Sequence, residues 1–234
     1  MHYGPKVVQG NMDFCIDIGN VKSGSNATDF VAGNTVTLNN TPTYSSDGYM
    51  SFDGVNEDIT ISISSGNFDY PTAWTDNFSL EVWVYFPNDV DWSNAYRSSI
   101  LTRGGYAGSH GLWRHPTDNT ISAWARSGTT SRERTVGITR DAWYHIVMTW
   151  ENDTLIAIYK NGALGQSMDP GDHTAVGSAN IDTGAWKLCS KQAASGAQGQ
   201  YYEGRMAMAR MYKKALTAAE VLQNFNATRG RFGV

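Results

Sequence analysis

"FSLEVWVYF", Phe78 to Phe86, is the stretch on which the fold turns. Phe78, Leu80, Val82, Val84 and Phe86 fall on one side of an extended chain, and Ser79, Glu81, Trp83 and Tyr85 on the other. A helix would scatter both sets around its circumference, so the segment predicts a strand. Pro87 ends it, because proline has no N–H to give to a ladder.

Similar segments recur on either side. "YMSFDGVNEDITISI" reads as a strand, a turn at Asp53-Gly54 and a second strand through Ile59, Ile61 and Ile63. "SSILTRGG" and "TISAWARSG" read as strands flanking the loop "GYAGSHGLWRHPTDN", and "SGTTSRERTVG" as a solvated hairpin carrying Arg132, Glu133 and Arg134. "YHIVMTW" and "TLIAIYK" follow, and Asn161-Gly162 after the second is a tight-turn signal because both residues accept positive φ. "AWKLCS" and "GRMAMARMY" close the set. One helix is predicted near the end. Thr217-Ala-Ala-Glu220 is a capping box, Val221, Leu222 and Phe225 share a face, and Gly230 can end the element.

About a dozen strands without βαβ alternation predict an all-β fold: a two-sheet antiparallel β-sandwich, or jelly roll, with one short C-terminal helix. Composition agrees. The 234 residues are 41% hydrophobic, 17% charged and 12% aromatic, with 24 glycines, which suits one large β domain over residues 1–234. A net charge of −4 with scattered Lys and Arg excludes a basic footprint for nucleic acid. No run is long enough to span a bilayer, so no membrane insertion is expected. The start "MHYGPKVVQGNMDF" lacks a basic then apolar leader, so Asn-x-Ser/Thr triplets at Asn26, Asn77 and Asn152 read as turns rather than glycosylation sites. Cys15 and Cys189 match no metal spacing; buried free thiols are favoured over a long-range disulfide.

The order of "FSLEVWVYF", "SSILTRGG", "AWYHIVMTWENDTLIAIYKNGAL" and "YEGRMAMARMYKKALTAAEV" resembles the laminin G-like, concanavalin A-like jelly-roll family. The upstream "FCIDIGN" and "MSFDGVNEDITI" are similar to segments that precede that core in the same group, so the resemblance spans nearly the whole chain. The ending "LQNFNATRGRFGV" resembles the tail of jelly-roll proteins in virions of tailed bacteriophages. That resemblance implies a capsid-surface, fibre or tail component.

His145 sits in "WYHIVMTW" on the strand face of Val147 and Thr149. There it reads as a hydrogen-bonded strand histidine rather than a general base, and the position resembles a family core position that often holds His. Related glucanases place Glu-x-Asp-x-x-Glu on one strand. Here Glu81 is followed on its own face by Trp83 and Tyr85, so that signature is absent and no catalytic residue is assigned. "TRGGYAG" has no helix after it to complete an anion cradle.

Calcium is the cation that "FDGVNED" suits. Asp53 and Asn56, with Glu57 and Asp58, supply hard oxygens, Glu203 approaches from the last strand, and laminin G-like domains often bind calcium at sandwich edges. Solvated turn acids are the simpler reading. The loops Asp91 to Arg97 and Tyr106 to Asn119 gather Trp92, Tyr96, Tyr106, His110, Trp113 and His115, a patch for a glycan or a neighbouring protein.

Together these readings predict a non-enzymatic virion structural protein that requires no cofactor. It would be assembled in the host cytoplasm and would contact other capsid or tail proteins and host-surface glycans. A homo-oligomer is compatible with that role. The rival readings are a lectin-like carbohydrate-binding protein outside a virion and a glycoside hydrolase.

Overall fold

In the computed structural model, which describes residues 6–20, 26–62, 71–90, 98–104, 109–115, 118–127, 130–151, 155–167, 185–191 and 200–234, the alternating segments are strands. In chain order they are β1 (Met12–Asp17), β2 (Asn26–Thr28), β3 (Thr35–Asn39), β4 (Thr43–Ser45), β5 (Tyr49–Asp53), β6 (Asp58–Ser62), β7 (Phe78–Phe86) and β8 (Ser98–Arg103). There follow β9 (His110–Arg114), β10 (Thr120–Ser127), β11 (Thr130–Gly137), β12 (Ala142–Glu151), β13 (Leu155–Lys160), β14 (Ala163–Ser167), β15 (Trp186–Leu188) and β16 (Glu203–Tyr212). The helix α1 (Ala218–Thr228) and a 3-10 turn over Arg229–Arg231 end the chain.

Two antiparallel sheets form a sandwich. The first runs β14-β13-β12-β7-β16-β5-β4, with β1 alongside the second half of β16, and the other runs β11-β10-β9-β8-β15-β6-β3-β2. The main core lies between them. Phe78, Leu80, Val82, Val84 and Phe86 of β7 face it beside Tyr144, Ile146, Met148 and Trp150 of β12. Opposite stand Ile59, Ile61, Leu112, Ile121 and Trp186. The β13–β14 turn forms as expected, with φ of 52° at Asn161 and 79° at Gly162.

Sheet one is covered on its other face too. The C-terminal segment crosses it and buries two smaller clusters. One joins Val147, Tyr159, Tyr212, Leu216 and Val221; the other joins Trp83, Ala207, Met208 and Phe225. Strand β7 is therefore buried on both faces apart from Tyr85. The capping box holds as read, with Glu220 N–H donating to Thr217 Oγ1 and Thr217 N–H donating to Glu220 Oε2.

Three expectations are corrected. The segment read as a loop contains β9, whose five residues are all buried. On α1, Leu222 is 47% exposed and Asn224 takes the inner place beside Val221 and Phe225. Gly230 lies within the 3-10 turn and does not end the helix, which stops at Thr228. Arg132, Glu133 and Arg134 belong to the regular edge strand β11. Both cysteines are free thiols, Cys189 buried and Cys15 half-buried. No helix among the described residues is long and apolar enough to cross a membrane.

Candidate functional site

Glu81 and His145 are the acid and imidazole that chemistry would want, and they lie together. Both point away from the main core, under α1, because outward positions on β7 and β12 come into register there. Glu81 Oε1 accepts from the Arg210 guanidinium and lies 3.0 Å from His145 Nε2. Glu81 Oε2 accepts from Asn224 Nδ2 at 2.7 Å and from the Tyr212 hydroxyl at 3.2 Å. Asn224 Oδ1 in turn accepts from the backbone N–H of Val8 at 2.7 Å.

Burial alone would raise the Glu81 pKa. The Arg210 charge and the bonds from His145 and Asn224 outweigh it and lower the pKa to about 2. Arg210 is pushed up from its ordinary value: burial opposes the shift and the Glu81 charge drives it. Burial and the same charge push the Tyr212 phenol up. Every lone-pair direction of the carboxylate is taken, and neither Glu81 nor His145 has accessible surface. The arrangement holds the sheet to its cover and offers no proton to a substrate.

The structure places the aromatic candidates differently. Trp113 is only 3% exposed because it stands on β9, in register with Ser99 and Ser122. Its ring lies 6.1 Å from that of Trp124, and Lys191 Nζ sits 4.8 Å above it. It presents no open stacking face. His110 is also buried, its ring 5.0 Å from Trp186, 5.3 Å from Phe78 and 5.7 Å from Trp74 in the main core. His115 follows β9 and pairs with Asp118 at 3.1 Å. Trp92, Tyr96 and Tyr106 lie outside the described residues, as does Asn152.

The calcium candidates are partly brought together. Asp53 and Glu203 are register partners, and Asn56 is in the adjoining turn. Asp53 Oδ1 already accepts from the N–H groups of Val55 and Asn56, and Glu57 Oε2 accepts from Asp53 N–H. Asp58 bonds instead to Asn39 and Lys187. Calcium takes about six to eight oxygens. Among the described residues no group of three or more His, Cys, Asp or Glu side chains could hold a metal.

Among the described residues, two areas of the outer face of sheet one stand out. One is a groove of about 540 Å³ lined by Ala157, Tyr159, Leu164, Glu151, Asn77 and Lys214 among others. Glu151 is the one acid in that lining among the described residues. The other is a half-buried aromatic surface built from Trp143, Tyr85, Tyr49 and Phe232 around Arg205. Neither was legible beforehand, because each is assembled across strands distant in sequence.

Comparison with known proteins agrees with this architecture. No curated protein sequence matches the chain. The receptor binding domain of botulinum neurotoxin D superposes with a TM-score of 0.69 at 11% identity, over 92% of this chain and 52% of that one. Trypanosoma rangeli sialidase in complex with sialic acid gives 0.72 at 14% identity, over 96% and 34%. The botulinum neurotoxin serotype D ligand binding domain in complex with N-acetylneuraminic acid gives 0.69 at 11%, over 92% and 50%. The chain spans about half or less of these proteins, and at such identities the likeness is one of fold. The sequence from residue 47 to 222 matches the concanavalin A-like lectin/glucanases superfamily. With its laminin G-like jelly roll, the chain belongs to that superfamily.

Proposed function

We propose that the chain is a non-enzymatic recognition module that binds glycans, and that its setting is the virion of a tailed bacteriophage. There it would contact other capsid or tail chains and sugars of the host surface. The observation that carries the binding reading is the sealed state of Glu81 and His145. Glycoside hydrolysis needs two carboxyl groups facing one substrate. Here one acid is locked beneath α1 and the open groove carries a single carboxylate among its described lining. A lining that mixes apolar and polar side chains suits a sugar, whose faces are apolar and whose edges are hydroxyls. Two structural neighbours were solved with sialic acids, which supports a sugar as the ligand class.

The virion setting rests on the resemblance of residues 222–234 to phage jelly-roll tails. In this chain those residues also do a local task, since Phe225 and Phe232 stack on Trp83. Two measurements test the reading. A glycan array should return specific hits while a polysaccharide panel releases no reducing sugar; sugar release abolished by Glu81→Gln would replace binding with hydrolysis. Mass spectrometry of purified particles should recover the chain in fixed stoichiometry, and its absence from particles would remove the virion setting.

A further inference from the structure

We propose that the outer face of sheet one carries a site for a carboxylate-bearing sugar, with Arg205 as its anchor and Trp143 as its stacking platform. The inference rests on the glycan-binding reading and gives it a place and a ligand class. The site is a single cross-strand row. Trp143 of β12 is opposite Tyr85 of β7, Tyr85 is opposite Arg205 of β16, and Arg205 is opposite Ser51 of β5. Adjacent strands therefore bring an indole, a phenol, a guanidinium and a hydroxyl side by side on one face.

Arg205 is held without being neutralised. Its Cζ lies 4.7 Å from the Tyr85 ring centre and 4.9 Å from that of Tyr49, so two aromatic faces clasp it. No hydrogen bond or ion pair to its guanidinium is found among the described residues. Two carboxylates, Asp141 and Asp89, lie near the same Tyr85 phenol. Asp141 accepts from the Tyr85 hydroxyl at 3.2 Å and from Asn88 N–H at 3.0 Å. Arg231 bonds to Asp17 and to the Gly48 carbonyl. Glu203, two residues before Arg205, lies against the turn at Gly54.

Beside this cation, the Trp143 ring is 5.5 Å from Tyr85, 5.8 Å from Tyr49 and 4.9 Å from Phe232, and all of these rings are half-buried. The simpler account makes them the rim of the cluster around Trp83. That explains the apolar rings, but it leaves a clasped guanidinium with no ion-pair partner among the described residues. A carboxylate supplies that partner through the paired N–H fork, while the sugar ring lies on the indole.

The test titrates the whole chain with tetragalacturonate and with N-acetylneuraminic acid, each against its methyl ester, by calorimetry and tryptophan fluorescence. The acid should bind at least about tenfold tighter than the ester, with an affinity that falls as salt rises. Arg205→Gln should remove that preference, Arg205→Lys should keep part of it, and Trp143→Ala should weaken acid and ester alike. Thermal melting of each variant separates lost binding from lost folding. Equal binding of acid and ester, abolished by Trp143→Ala, would overturn the anionic class and leave glycan binding intact. Acid-selective binding untouched by Arg205→Gln and Arg205→Lys would overturn the site. No binding here and none on a neutral glycan panel would remove both this proposal and the glycan reading beneath it.

Discussion

Glu81 keeps its charge where burial would otherwise strip it, and Arg210 is the main reason. Replacing the acid with Gln leaves a buried guanidinium uncompensated, a change that costs about 3–5 kcal/mol. Urea unfolding of Glu81→Gln at neutral pH should show a loss of that order, and a loss below about 1 kcal/mol would contradict the network's role. The pH dependence has a definite sign. The folded pKa of about 2 lies below the ordinary carboxylate value of 4.5, so the contribution is complete above 4.5 and disappears as pH falls toward 2. The stability gap between the parent and Glu81→Gln should therefore close through that window. His145 was legible as a strand residue from its face alone. The partners of Glu81 were not, because Arg210 and Asn224 lie 129 and 143 positions from it, and only the fold brings them there.

Helix α1 shows what a pattern can and cannot say about an element. Its start is local chemistry: a Thr hydroxyl and a Glu carboxylate satisfy backbone donors three residues apart, and both bonds form. Thr217→Ala should cost about 1 kcal/mol, read as a lower melting temperature. Its inner face depends on what lies beneath. The helix covers a carboxylate, so Asn224 is inside and Leu222 is outside, against the usual ranking of those side chains. Asn224→Ala should destabilise by about 1–3 kcal/mol because Glu81 and Val8 lose a partner, whereas Leu222→Ala should stay within about 0.5 kcal/mol. Equal effects in chemical unfolding would reverse the assignment of faces. Strand β9 escaped recognition for a related reason. Buried on both sides, "HGLWR" does not alternate, and Gly111 at φ 148° sits close to the Leu101 carbonyl, where a Cβ would come within 2.2 Å.

At the scale of the molecule, sheet one is a layer with two apolar faces, and its stability depends on the C-terminal cover as well as on the opposing sheet. Trp83 illustrates the point. It is fully buried, stacked 4.0 Å from Phe232 and 6.0 Å from Phe225, and its indole N–H donates to Thr228 Oγ1 at 3.0 Å. The two-sheet architecture was readable from alternation, but this third layer was not, since the outward set Ser79, Glu81, Trp83 and Tyr85 mixes polar and aromatic side chains. Removing residues 217–234 would expose Trp83 and the charged Glu81–Arg210 pair together, while the core between the sheets kept its composition. The shortened chain should retain β-type far-UV circular dichroism, bind a hydrophobic dye and lose its sharp thermal transition. A truncated protein that melted as cooperatively as the parent, with Trp83 fluorescence still that of a buried indole, would show that the sandwich closes without its cover.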